Sequence, residues 1–197
     1  MTDIARTMVG LVCSILIIQI PLMVYAHRIT RSKNKMYIYL FILIPLWFLS
    51  AGTIHEGSHY LGCLLRGTEV VEAQLIPPFW KGDFFSAYIV SVESSVFSVS
   101  APYWMDFLLF LLGMALLGVF RPRRTFVKSL VFTLLLTRSL FDILTNYLGF
   151  VFWGFGDFAY LAENVNPALV HAAALFLIAV FTAGIGNRML SAGEVSG

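Results

Sequence analysis

MYIYLFILIPLWFLSAGTI, residues 36–54, runs without a break into His55-Glu56-Gly57-Ser58-His59. The apolar part is long enough to cross a bilayer, which takes about 20 residues of helix. The charged part reads H-E-x-x-H. On a helix, residues four apart share a face, so both imidazoles can reach one metal ion. Glu56 sits beside them, placed to take a proton from water. That is the pattern of two zinc ligands and a general base. The plainer reading is a polar helix end with two interfacial histidines. Ionisable residues at the end of a membrane span are costly, however, and call for a reason.

Composition sets the class. Of 197 residues, 59% are hydrophobic and 12% charged, against about 25% charged in an ordinary soluble domain. The chain is expected to be an all-α membrane protein, a single polytopic domain over residues 1–197. Five runs are span-length: residues 8–26, with Pro21 as a kink point, then 36–65, 105–120, 126–152 and 168–185. The first has no small-residue cleavage site after it, so it reads as a span and not a signal peptide. The net charge of +2 and the lack of a long basic run give no sign of nucleic-acid binding. Cys13 and Cys63 are too few for a disulfide framework or a Cys-rich zinc site.

The loops set the orientation. Arg28, Arg31, Lys33 and Lys35 lie between spans one and two; Arg121, Arg123 and Arg124 lie between spans three and four. Glu69, Glu72, Asp83 and Glu93 mark one of the other loops, and Asp157 and Glu163 mark the last. By the positive-inside rule the N-terminus is outside and the C-terminus cytoplasmic. At 1.5 Å rise per residue, His55 and His59 lie roughly 28–35 Å above the cytoplasmic end of span two. Asp142 and Asn146 come to roughly 24–30 Å, and His171 to roughly 8 Å below the outer surface. The unusual polar residues share one level.

Residues 68–103 do not read as a span. Tyr88-Ile89-Val90-Ser91-Val92 favours a strand, after a Pro77-Pro78-Phe79-Trp80-Lys81-Gly82 turn. A short β-rich or re-entrant segment is expected after the second span. It would cover the motif or offer an edge to an extended peptide. An ordinary interfacial loop anchored by Trp80 and Trp104 is the other reading.

At this point the chain resembles the site-2 protease family of intramembrane zinc metalloproteases. The resemblance rests on H-E-x-x-H in a membrane helix, Gly67-Thr68-Glu69-Val70-Val71 before a β-rich segment, and Ser100-Ala101-Pro102 before another span. It covers roughly residues 36–120. It implies one zinc ion held by His55 and His59, Glu56 as catalytic base, and a transmembrane or membrane-adjacent protein substrate. Ser58 stands where that family has Gly, and its later Asn-Pro-rich stretch ending in Asp-Gly does not occur here.

The third ligand therefore has to be sought among Asp142, Asp157 and His171. Asp142 is preferred because it lies inside a span, with Asn146 one turn on. Arg138, one turn before, offers an ion pair instead. Asp157 is the alternative, and it would otherwise cap a following helical turn. His171 suits a packed role, and Asp106 an interfacial charge. The expected activity is hydrolysis of peptide bonds in membrane-embedded substrates. The competing readings are a catalytically inactive homologue and a metal-binding membrane scaffold, carrier or sensor.

Overall fold

The computed structural model describes residues 2–78 and 87–192, with the side chains of residues 2–7 left aside. The protein is mostly helical. Among the described residues, four helical runs are long and apolar enough to cross a bilayer: Met8–Thr30, Lys33–Arg66, Val96–Phe120 and Pro167–Ser191. Large apolar side chains point outward from them, Phe41 at 83% and Val119 at 77% exposure, which suits lipid contact and not water.

The first run is α1 (Thr2–Ser14), a π-helical segment (Ile15–Gln19) and α2 (Ile20–Thr30). Pro21 has no N–H to give the helical ladder, and just before it the Ile20 N–H reaches back to the Ile15 carbonyl. Arg31 then takes a left-handed conformation, and the Ser32 side chain accepts from the Lys35 N–H to start α3 (Lys33–Arg66). The buried residues of α3 include Met36, Leu43, Trp47, Ser58 and Gly62, a single stripe along its length.

After α3 comes an antiparallel hairpin, β1 (Val70–Gln74) and β2 (Tyr88–Ser91), with Glu72 opposite Val90 and Gln74 opposite Tyr88. Of the turn expected at residues 77–82, the part from Phe79 on, with Trp80 and the nearby Asp83, lies outside the described residues. The helix α4 (Val96–Ala115) begins well before residue 105, where the third span was expected. A reciprocal cap between Ser95 and Ser98 starts it. Ser95 and Ser98, within the stretch not expected to be a span, supply the starting signal of the helix.

Beyond a π-helical end (Leu116–Phe120), a continuous helical run is formed by α5 (Thr125–Val131), a π-helical segment (Phe132–Thr137) and α6 (Arg138–Trp153). This was expected as the fourth span, but it is not among the four runs apolar enough to qualify. Its polarity has a structural reason. It packs against α1, α3, α4 and α8 (Pro167–Ser191), and Ser129, Thr133, Thr137, Arg138 and Ser139 on it are buried. A helix wrapped by other helices need not satisfy lipid. The hydrophobic core lies around it, with Tyr25 stacked on Phe132 and Phe110 on Phe181.

Gly62 lets α3 and α4 approach closely, since a Cβ there would lie 2.9 Å from the Ser98 Cα. Small residues at such crossings are what membrane helices use to pack. Gly154 (φ 66°) ends α6, and Gly156 (φ 88°) precedes α7 (Asp157–Asn164). Both lie in the region that favours glycine, so the chain reverses within three residues.

Candidate metal centre

The motif histidines lie on the face of α3 turned towards α4, α6 and α7. His59 Nδ1 lies 2.9 Å from the Ser98 carbonyl oxygen, a contact made possible by the Gly62 crossing. A carbonyl can only accept, so His59 carries its hydrogen on Nδ1 and keeps a lone pair on Nε2. His55 Nδ1 donates to Asp142 Oδ2 at 2.9 Å, which likewise frees its Nε2. The two Nε2 atoms face each other at 3.2 Å.

Asp157 closes the group. Its Oδ2 lies 3.3 Å from His55 Nε2 and 3.2 Å from His59 Nε2. Among the described residues, His55, His59 and Asp157 form the group whose donor atoms converge closely enough to hold a metal ion. Asp142, the preferred third ligand by sequence, is placed differently. It sits on the far nitrogen of His55, so the donor set is completed by Asp157 in its stead. The reason is direction. Asp142 projects from α6 towards the outer edge of the His55 ring, while the glycine reversal brings Asp157 back over its inner edge.

The donor set suits a cation. Ligands about 2.0–2.1 Å from a tetrahedral zinc ion are about 3.3–3.4 Å apart, close to the three separations here. Without a cation, three lone pairs would point at one another. Asp106 and Asp142 lie beside one guanidinium, that of Arg138. Burial pushes the Asp157 carboxyl up, but its hydrogen bonds and charge interactions with His55 and His59 outweigh burial and hold it below the usual carboxylate range. The position therefore favours the ionised carboxylate.

Around these donors lie groups that orient them, as such sites require. Tyr103 donates to Asp157 Oδ2 at 3.0 Å, and its ring stacks on Phe158. Asn146 donates to Asp142 Oδ1 at 3.0 Å. Asp106, expected at the interface, is 1% exposed and paired with Arg138. His171 stands apart from the group, with Nδ1 2.9 Å from the Tyr147 hydroxyl. Neither Tyr103 nor the Ser98 carbonyl was singled out by sequence. A tyrosine beside a proline in an apolar helix carries no local sign of such a role.

Two cavities of about 300 and 340 Å³ share His55, Glu56 and Asn146 as walls. The first is otherwise largely apolar and aromatic, with Trp47, Phe48 and Phe141. The second is bounded by His59, Asp157, Ser94, Ser98 and the β2 residues Tyr88, Ile89 and Ser91. Glu56 thus faces open space beside the donors, and the hairpin forms part of that wall. No protein-family profile, curated protein or solved structure matches the chain.

Proposed function

We propose that this protein is a zinc-dependent intramembrane peptidase, with His55, His59 and Asp157 as the zinc ligands and Glu56 as general base. The observation that carries the reading is the convergence of two imidazole lone pairs and one carboxylate beside a cavity walled by Glu56. A purely structural site would have no use for that glutamate.

Zinc bound there would polarise a scissile carbonyl and make water a nucleophile near neutral pH. Glu56 takes a proton from the attacking water as the new C–O bond forms. It returns that proton to the amine as the C–N bond breaks. Asp142 holds His55, and the Ser98 carbonyl holds His59, in the tautomer that presents Nε2. Tyr103 fixes the Asp157 carboxylate. The strand β2, on the cavity wall, supports an extended substrate backbone, which a peptidase needs because a helix encloses its carbonyls.

The run Thr125–Trp153 is read as a fifth span, shielded from lipid by its neighbours. The basic loops then face the cytoplasm and the N-terminus faces outward. His55 lies about 33 Å along α3 from Lys33, near the outer edge of a hydrocarbon core about 30 Å thick, where water has access. Single cysteines at Asn34 and Arg123 should label from one side of sealed vesicles, and those at Glu72 and Glu163 from the other, in a background lacking Cys13 and Cys63.

The decisive experiment measures zinc content and proteolysis on detergent-purified protein and on Glu56→Gln. Near-stoichiometric zinc in both, with cleavage of a membrane-peptide mixture by the wild type alone, supports the reading. Zinc without cleavage would leave a metal-binding scaffold. A folded wild type that takes up no supplied zinc would sink the reading.

A further inference from the structure

We propose that Arg138, held from α4 by Asp106, is a positioning residue for the metal group, acting through Asp142. The inference rests on the zinc reading above and deepens it. Arg138 is fully buried, on α6, one turn before Asp142. Its Nη2 donates to Asp106 Oδ1 across the α4–α6 contact and to Ser139 Oγ at 3.3 Å, and its Nε donates to the Leu134 carbonyl at 3.2 Å. These bonds fix the plane of the guanidinium. The remaining arm, Nη1, makes no hydrogen bond among the described residues and lies 4.0 Å from Asp142 Oδ2.

That oxygen is the one that accepts from His55 Nδ1. Asp142 is therefore gripped on both sides: Asn146 donates to Oδ1, and the Arg138 charge stands beside Oδ2. At 4 Å, attraction between unit charges is about fourfold stronger at an effective dielectric of about 20 than in water. Asp142 in turn fixes the ring of His55, whose other nitrogen belongs to the donor group. The path runs from Asp106 on α4 through Arg138 and Asp142 on α6 to His55 on α3, so three helices set the angle of one imidazole. A pair serving only to join α4 to α6 would not need the third arm aimed at Asp142. An apolar pair often joins helices as well as a buried ion pair does.

The test is a double-mutant cycle in zinc affinity, measured by chelator competition on detergent-purified protein with its size-exclusion profile as the check on folding. Arg138→Lys keeps a cation for Asp106 but loses the arm towards Asp142. It should weaken zinc binding about 10-fold or more, the usual scale for partners behind a metal ligand. In an Asp142→Asn background the same substitution should cost almost nothing, because the carboxylate it acts through is gone. Arg138→Gln keeps polar groups for Asp106 but removes the charge beside Asp142 and should weaken binding in the same dependent way, so the inference stays testable if one variant fails to fold. Equal losses with and without Asp142, or no loss in either variant, would overturn it while leaving the zinc reading standing. A folded wild type that binds no zinc would overturn both.

Discussion

Replacing Asp157 and Asp142 separately should separate a ligand from the residue that orients one. Asp142 touches only the outer nitrogen of His55, at 2.9 Å. Its loss to alanine removes an orienting partner, which costs about 10–100-fold in affinity, or about 1.4–2.8 kcal/mol. Asp157 lies 3.2–3.3 Å from both inner nitrogens and contributes the charge of the donor set. Structural zinc is bound with about 10–16 kcal/mol shared over four ligands, so one ligand is worth roughly 2.5–4 kcal/mol, on the order of 10²–10³ in affinity. Free zinc buffered at about 100 times the wild-type Kd then divides them. Asp142→Ala should be at least half loaded and Asp157→Ala at most half loaded. The assay is a chelator-buffered isotherm on protein with a wild-type size-exclusion profile, with Glu56→Gln expected to load like the wild type. If Asp142→Ala binds more weakly than Asp157→Ala, the assignment of ligand and orienter is reversed, and the convergence on Asp157 Oδ2 is not the metal site.

Three further outcomes can be checked on the same preparations. Gly62→Val should destabilise the protein by about 1–3 kcal/mol in a thermal melt and weaken zinc binding, because its Cβ would meet the Ser98 backbone at 2.9 Å and push α4 off His59. Gly156→Ala has open space around the new methyl but a φ of 88° with ψ −169°, a region nearly confined to glycine, so it should cost about 1–3 kcal/mol of backbone strain and loosen Asp157, seen as faster zinc release. Tyr103→Phe keeps the stack on Phe158 and loses the bond to Asp157; a hydrogen bond to a charged group is worth about 1.5–3 kcal/mol, so the protein should melt lower and zinc affinity should fall by about 10-fold or more. Unchanged affinity in Tyr103→Phe would remove Tyr103 from the account of the site.

The H-E-x-x-H stretch was readable because its geometry is local: the helix alone places His55 and His59 on one face. A strand was readable at residues 88–92 from their β-branched and aromatic side chains, though its pairing with β1 was not. The third donor was legible only as the alternative, Asp157, because nothing local distinguishes a carboxylate that caps a short helix from one that turns into a bundle. Asp142 drew attention for a sound reason, the cost of an acid inside a span, and the structure does place it against His55. Counting residues along a helix gives height but not rotation about the bundle. His171 stands at a suitable height and yet pairs with Tyr147 and not with the histidine pair. The fourth helical run failed a test of apolarity for the same kind of reason. Its neighbours were not visible in its own composition, and they are what make Thr133, Thr137 and Arg138 tolerable there.

The three-residue reversal at Gly154–Gly156 also sets an order in time. His55 and His59 are synthesised roughly a hundred residues ahead of Asp157, a delay of about 5–20 s at 5–20 residues per second. Throughout that interval the growing chain carries two imidazoles and a base but no closing carboxylate. If the group binds zinc as proposed, its donor set is complete only when α6 has been made and Asp157 has followed it. A chain stopped at Trp153 should hold zinc no better than Asp157→Ala does. On that reading, the donor that completes the group is the last of the three to be made.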